Sequence, residues 1–150
     1  MIVYVGSDHN GFEMKKQVLD YLAKRSTPAL DVGDERLDPQ DDFPVFAAKA
    51  VHAMQTSPEK DARAILICGS GQGMLIAANR FKGVRAGLGW SIDAAKGIRN
   101  DEDSNVLALP SELLQSNSTL AQNIIDAWLD TPFAAASRYV RRNSELDQLS

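Results

Sequence analysis

Cys68 is the only cysteine in the chain, and the segment Gly69-Ser70-Gly71-Gln72-Gly73 follows it directly. A thiolate can serve as a nucleophile or as a general base. Three glycines in five residues at a strand-to-helix turn leave backbone N–H groups bare, which suits an oxyanion or a phosphate. Spacing alone also allows plainer roles, a small core residue and a tight turn. Asp8-His9 is the second constellation. Its carboxylate suits sugar hydroxyls, and its imidazole suits a phosphate or a proton shuttle; a plain surface loop is the competing reading. Arg138 and Arg142 lie four apart with Arg141 between them, so the first two share one helix face. They can clamp a phosphate or simply form a solvated basic face. Together these residues point to an anionic, hydroxylated small molecule.

Nucleotide motifs fail on spacing. A P-loop needs GxxxxGK[ST], and no lysine follows the glycines here. The dinucleotide fingerprint needs GxGxxG after the first strand, whereas Gly69, Gly71 and Gly73 give GxGxG and GSDHNG stands after the first strand.

The elements that must position these residues alternate in kind. Ile2–Val5, Ala29–Val32, Ala64–Cys68, Val84–Leu88 and Asn105–Leu109 read as short buried strands. Between them, apolar residues recur at helical spacing: Met14, Val18 and Leu22; then Phe46, Ala47, Ala50, Val51 and Met54, with Pro44 at the start and His52 off the stripe. Met74–Arg80 and Ser91–Arg99 read as further helices. Leu120, Ile124, Ile125, Trp128 and Leu129 mark another, and a last helix is expected at about 132–149. Residues 34–42, DERLDPQDD, read as a solvated connection. This alternation predicts an α/β fold, a Rossmann-like three-layer α/β/α sandwich around a parallel five-stranded sheet, with right-handed crossovers and strand order 2-1-3-4-5. In that order strands one and three are neighbours, so Asp8, His9, Cys68 and Ser70 are expected in one cleft.

Composition narrows the field. The 150 residues suit one domain, 1–150, and 44% hydrophobic content excludes disorder. One cysteine and two histidines exclude a disulfide framework and a CxxC or His-rich metal site. A net charge of −4 gives no global footprint for nucleic acid. No apolar run approaches the ~20 residues that span a bilayer. The start, MIVYVGSDHNGF, does not read as a signal peptide, and with an unpaired cysteine the expected location is cytoplasmic.

The segments GSDHNGFEMKKQVLDYL, DDFPVFAAKAV, AILICGSGQGMLIAANRFKGVRAGL, DSNVLAL and IIDAWLDTPF closely resemble the type B ribose-5-phosphate isomerases, a family that also holds the bacterial galactose-6-phosphate isomerase subunits. The resemblance runs in order from residue 1 to about 142. It implies an aldose–ketose isomerase that works without metal or cofactor through a cis-enediolate, as a homodimer or homotetramer with active sites at the dimer interface. It further implies Cys68 as the base that moves the proton between C1 and C2. Ser70 and the amides of Gly69, Gly71 and Gly73 would stabilise the enediolate oxygen. Asp8 and Asn105 would contact the sugar, and His9, Arg138 and Arg142 would hold the phosphate. Ribose 5-phosphate is the first substrate expected, with a tetrose or hexose phosphate as the alternative.

Two segments depart from the family pattern. Relatives often carry a histidine in an HNDANVLA-like segment, credited with opening the furanose ring; Asp101 stands at its place here, so either Asp101 or Glu102 is expected to replace it as a catalytic group or the natural substrate needs no ring opening. Relatives often read GGRHxxRV near the end, where this chain reads AAASRYVRRN. A non-catalytic partner subunit that keeps the sugar-phosphate cleft is the rival class, and retention of Cys68 with the whole glycine loop argues against it.

Overall fold

In the computed structural model, which describes residues 1–149, the expected strands all form and all run parallel. They are β1 (Ile2–Ser7), β2 (Ala29–Asp31), β3 (Ala62–Cys68), β4 (Ala86–Leu88) and β5 (Val106–Pro110). The helices are α1 (Phe12–Lys24), α2 (Phe43–Gln55), α3 (Gln72–Ala78), α4 (Ile92–Glu102), α5 (Ser111–Leu114), α6 (Ser118–Asp130) and α7 (Ser137–Leu146). A 3-10 turn at His9–Gly11 joins β1 to α1.

The strand order is β2-β1-β3-β5-β4, which corrects the expected 2-1-3-4-5 at its far edge. Strand composition explains the exchange. All five residues of β5, VLALP, are buried, as a strand flanked on both sides must be. The segment leading into β4, VRAGL, carries Arg85 and yields only three paired residues, a short strand suited to an edge. Right-handed crossovers then dictate the layers. Steps towards β2 and from β4 back to β5 run one way and place α1 and α4 on one face, while α2 and α3 cover the other.

On the first face Val3, Val5, Ile65, Ile67, Leu107 and Leu109 meet Met14, Val18 and Leu22 of α1 and the apolar side of α6. Trp128 is fully buried there, and its Nε1 donates to Ser104 Oγ at 2.7 Å. On the second face Tyr4, Leu66, Cys68, Val106 and Ala108 meet α2 and α3. His52 sits exposed on α2, as its position off the stripe implies. The last helix is shorter than 132–149: residues 131–136 lie outside any helix, and Ala134 N–H donates to the Asn100 carbonyl at 3.0 Å.

Candidate active site

Ser7 of β1 pairs with Ile67 of β3, so the loops leaving these two strands emerge side by side at the carboxyl end of the sheet. The first loop is bonded onto the second strand, with Asp8 N–H donating to the Ile67 carbonyl at 3.2 Å. Gly11 lies so close that a Cβ would fall 2.5 Å from the Ile67 oxygen, so only glycine permits the approach. Asp8 caps the turn, accepting from Gly11 N–H at 3.1 Å. It is buried, and burial pushes its carboxyl above the usual value, with Asp41 nearby acting in the same direction.

Cys68 ends β3 opposite Pro110 of β5 and is buried. Gly71 adopts φ +78°, and a Cβ there would meet Leu88 Cδ1 at 2.5 Å. A side chain at that position would therefore be both strained and blocked. Ser70 is exposed, and its Oγ accepts from Gln72 N–H at 3.3 Å. The loop thus brings Asp8, His9, Cys68, Ser70, Gly69, Gly71 and Gly73 to one end of the sheet, as the strand alternation predicts.

Three residues that sequence reasoning did not assign to the site join it. Phe43, at the start of α2, packs its ring against Gly73, with ring carbons 3.1 Å from where a Cβ would stand. Glu112 donates its N–H to the Gly69 carbonyl at 3.0 Å and holds its carboxylate beside that glycine. Asp41 sits 2.5 Å from His9 Nδ1 and raises the imidazole pKa above its ordinary value. The word DDFP contains a signal for Phe43, but nothing in the acidic run 34–42 singles out Asp41.

The remaining candidates lie at the opposite end of the sheet. Asn105 precedes β5, accepts Arg85 N–H at 2.9 Å and donates to the Gly83 carbonyl at 2.9 Å. Its side chain ties the starts of β4 and β5 together instead of joining Cys68 within the chain. Asp101 is the penultimate residue of α4, and its carboxylate accepts from Asn100 Nδ2 at 2.7 Å. Glu102 follows, and burial together with the Asp101 charge pushes its carboxyl up. Arg142 on α7 lines a cleft with Asp101, Glu102, Tyr139 and Asn143. Arg138 is exposed beside Tyr139, and Arg141 is 3.8 Å from Glu145. Within one chain, then, the thiol and the arginines are separated by the length of the sheet. Among the described residues no group of three or more His, Cys, Asp or Glu side chains is placed to hold a metal ion.

A parallel α/β sheet with a thiol, a carboxylate and a glycine loop converging at its switch point defines a small-molecule site. The chain belongs to the Ribose/Galactose Isomerase family, whose model matches residues 3–146. It is 36% identical over 142 residues to ribose-5-phosphate isomerase B of Mycolicibacterium paratuberculosis, spanning 95% of this chain and 87% of that one. It is 41% identical over 109 residues to a 4-deoxy-4-sulfo-D-erythrose isomerase of a Clostridium species, spanning 73% and 67%. The structure of ribose-5-phosphate isomerase B from Mycoplasma genitalium with bound ribulose-5-phosphate superposes with a TM-score of 0.89 at 31% identity, over 98% of this chain and 94% of that one. The chain is an aldose–ketose isomerase.

Proposed function

We propose that the chain interconverts ribose 5-phosphate and ribulose 5-phosphate. The observation that carries this reading is Cys68 at the carboxyl end of β3, abutting the glycine loop beside buried Asp8, in a chain of this family. The Cys68 thiolate takes the proton from C2 of the open-chain aldose. The electron pair moves into the C1 carbonyl and forms a cis-enediolate. The thiol returns the proton to C1 as the carbonyl forms at C2, and the hydroxyl proton passes between O2 and O1. Ser70 and the amides of Gly69, Gly71 and Gly73 stabilise the developing oxyanion, usually a large contribution in such chemistry. Asp8 holds sugar hydroxyls, and His9 with Arg138 and Arg142 holds the phosphate.

Because the arginines and Cys68 occupy opposite ends of one chain, this assignment requires a second copy. In a homodimer, or a tetramer built from it, one protomer's glycine loop faces its partner's α7. Exposed apolar side chains at both ends support the pairing: Val45, Ile76 and Trp90 near the carboxyl end, Val140, Leu146 and Leu149 at the other. A reduced thiol as the base also favours the cytoplasm as its location. The test is conversion in D2O with EDTA present. Deuterium at C1/C2 of the product, with undiminished rate, is expected; retention of the substrate proton together with loss of activity in EDTA would overturn the route.

A second reading has its own observation. Asp101 stands where a ring-opening histidine is expected, and His9 and His52, the chain's two histidines, lie elsewhere. An aldose of four carbons with a blocked terminal oxygen cannot close a furanose, so it needs no ring opening. The Clostridium relative is named for a four-carbon aldose in which a sulfo group replaces the C4 oxygen, a sugar that likewise cannot close a furanose. If ribose 5-phosphate is the substrate, Glu102, its carboxyl already pushed up, or Asp101 serves as the ring-opening acid. Asp101→Asn or Glu102→Gln then lowers kcat/KM for ribose 5-phosphate and spares erythrose 4-phosphate. If the tetrose is the substrate, wild type prefers erythrose 4-phosphate and neither variant matters.

A further inference from the structure

The acidic run 34–42 is not merely solvated. Its residues 35–40 and Asp42 are exposed, but the Asp41 side chain turns inward to 6% exposure. One oxygen, Asp41 Oδ1, accepts from the His9 backbone N–H at 3.1 Å and lies 2.5 Å from His9 Nδ1. The same carboxylate thus fixes both the backbone and the ring of His9. The loop is anchored on each side of Asp41. On one side the buried Lys15 Nζ donates to Asp31 at 2.9 Å and to the Asp34 carbonyl at 2.6 Å. On that side too Asp41 N–H donates to the Asp38 carbonyl at 3.2 Å, and on the other Val45 N–H donates to the Asp42 carbonyl at 3.1 Å, at the start of α2.

We propose that Asp41 is a positioning residue that holds His9 as a cationic Nε2–H donor for the anionic end of the substrate, on a loop fixed by Lys15. This rests on the reading of the site as a sugar-phosphate isomerase. With Nδ1 taken by Asp41, Nε2 is the ring nitrogen left for a ligand, and a fixed tautomer is what such a donor requires. The charged groups acting on His9 are Asp41, Asp8 and Asp38, all carboxylates that favour the imidazolium. They also oppose a bare anion, so the tether matters only where it decides whether His9 is charged. The expected signature is therefore confined to the pH window between the titration points of His9 without and with the tether.

The experiment measures His9 directly and in turnover. In a His52→Gln background one imidazole remains, and its NMR titration is followed in otherwise wild-type protein, Asp41→Asn and Asp41→Glu. Asp41→Asn should move the His9 titration to lower pH, and Asp41→Glu should restore part of the shift. KM for ribose 5-phosphate should rise on the order of tenfold in Asp41→Asn between its new titration point and that of wild type, with no rise below that window and little change in kcat. An unchanged titration, or a KM increase equal at all pH values, overturns the proposal. Failure of the wild-type enzyme to turn over any sugar phosphate would instead overturn the functional reading, because the titration does not depend on turnover. Should Asp41→Asn not fold, Asp41→Ser takes its place, and a His9 titration and KM profile identical to those of wild type sink the proposal.

Discussion

At the carboxyl end of the sheet the candidate groups are held by backbone geometry. Asp8 is bonded to its own turn, Cys68 is locked at a strand end, and Gly71 supplies a left-handed turn that Leu88 closes over. At the amino end the candidates hang on α7, whose single buried residue is Asn143 and which packs on α4. Rigid elements position reacting atoms within fractions of an ångström, whereas a charged clamp tolerates looser support. The difference fits a proton transfer at carbon carried out at the carboxyl end, with the arginine clamp at the amino end joining His9 in holding the anion. It also explains why exposed α7 makes sense only when another surface covers it.

The sharpest way to break this division is Cys68→Ala. Loss of a general base costs ~10²–10⁴-fold in kcat, with the fold intact because alanine fits the same buried position. Solvent deuterium incorporation should vanish in parallel. Near-normal turnover in this variant would remove the carboxyl end from the chemistry.

Arg142→Ala should act differently, raising KM on the order of tenfold or more while leaving kcat less affected. Mixing Cys68→Ala with Arg142→Ala chains tests whether the two ends meet across a dimer. Half of randomly mixed dimers are hybrids, and one of the two sites in each hybrid is free of both changes, so about a quarter of wild-type activity should return. No recovery on mixing, with exchange of subunits verified by mass, would place each site within one chain.

How much of this was legible beforehand depended on whether a local pattern carried the information. Apolar runs located β1, β3 and β5, the first two ended by glycines, and the neighbouring of β1 and β3 brought Asp8 to Cys68. The swap of β4 and β5 was missed because order is a property of the whole sheet, although Arg85 in VRAGL and the unbroken VLALP carried the hint. Asp41 was missed because one inward-turning carboxylate among acidic neighbours has no periodicity to betray it. Asn105 looked like a ligand beside the departing Asp101 segment, yet its amide joins the starts of two strands, a contact between residues distant in sequence.

Asp8 sharpens the contrast through stability. Its carboxyl is raised above 3.8, chiefly by burial, so the folded chain binds this proton more tightly than the unfolded chain does. Its contribution is most favourable below the unfolded pKa and is lost as pH rises through the folded one. Above the folded pKa the buried carboxylate is thus a burden on folding. Asp8→Asn keeps an oxygen for Gly11 N–H, so Tm at pH 7 should match or exceed that of wild type while activity falls. The Tm advantage should shrink towards pH 4. A lower Tm at pH 7 with no pH trend would show that the carboxylate holds its end of the sheet together after all.

The smallest effect distinguishes the two ends by their strained residues. Both have a left-handed turn, Gly71 at φ +78° and Ala135 at φ +51°. Glycine adopts that region freely, whereas a Cβ there meets the backbone and costs ~1–2 kcal/mol. Ala135 stands in the AAAS segment that leads from α6 into α7, so its strain falls on the anchoring of the helix that carries Arg138 and Arg142. Ala135→Gly relieves the strain but adds freedom to the unfolded chain worth about 0.5–1 kcal/mol, so the net gain is at most about 1.5 kcal/mol, or roughly 3–6 °C in Tm. The reciprocal Gly71→Ala meets both the φ penalty and Leu88, and should lower Tm and kcat together. Thermal melts of the two variants side by side decide the matter. If Ala135→Gly lowers Tm while Gly71→Ala is tolerated, the amino end is the rigid one, and the division of labour between the two ends is reversed.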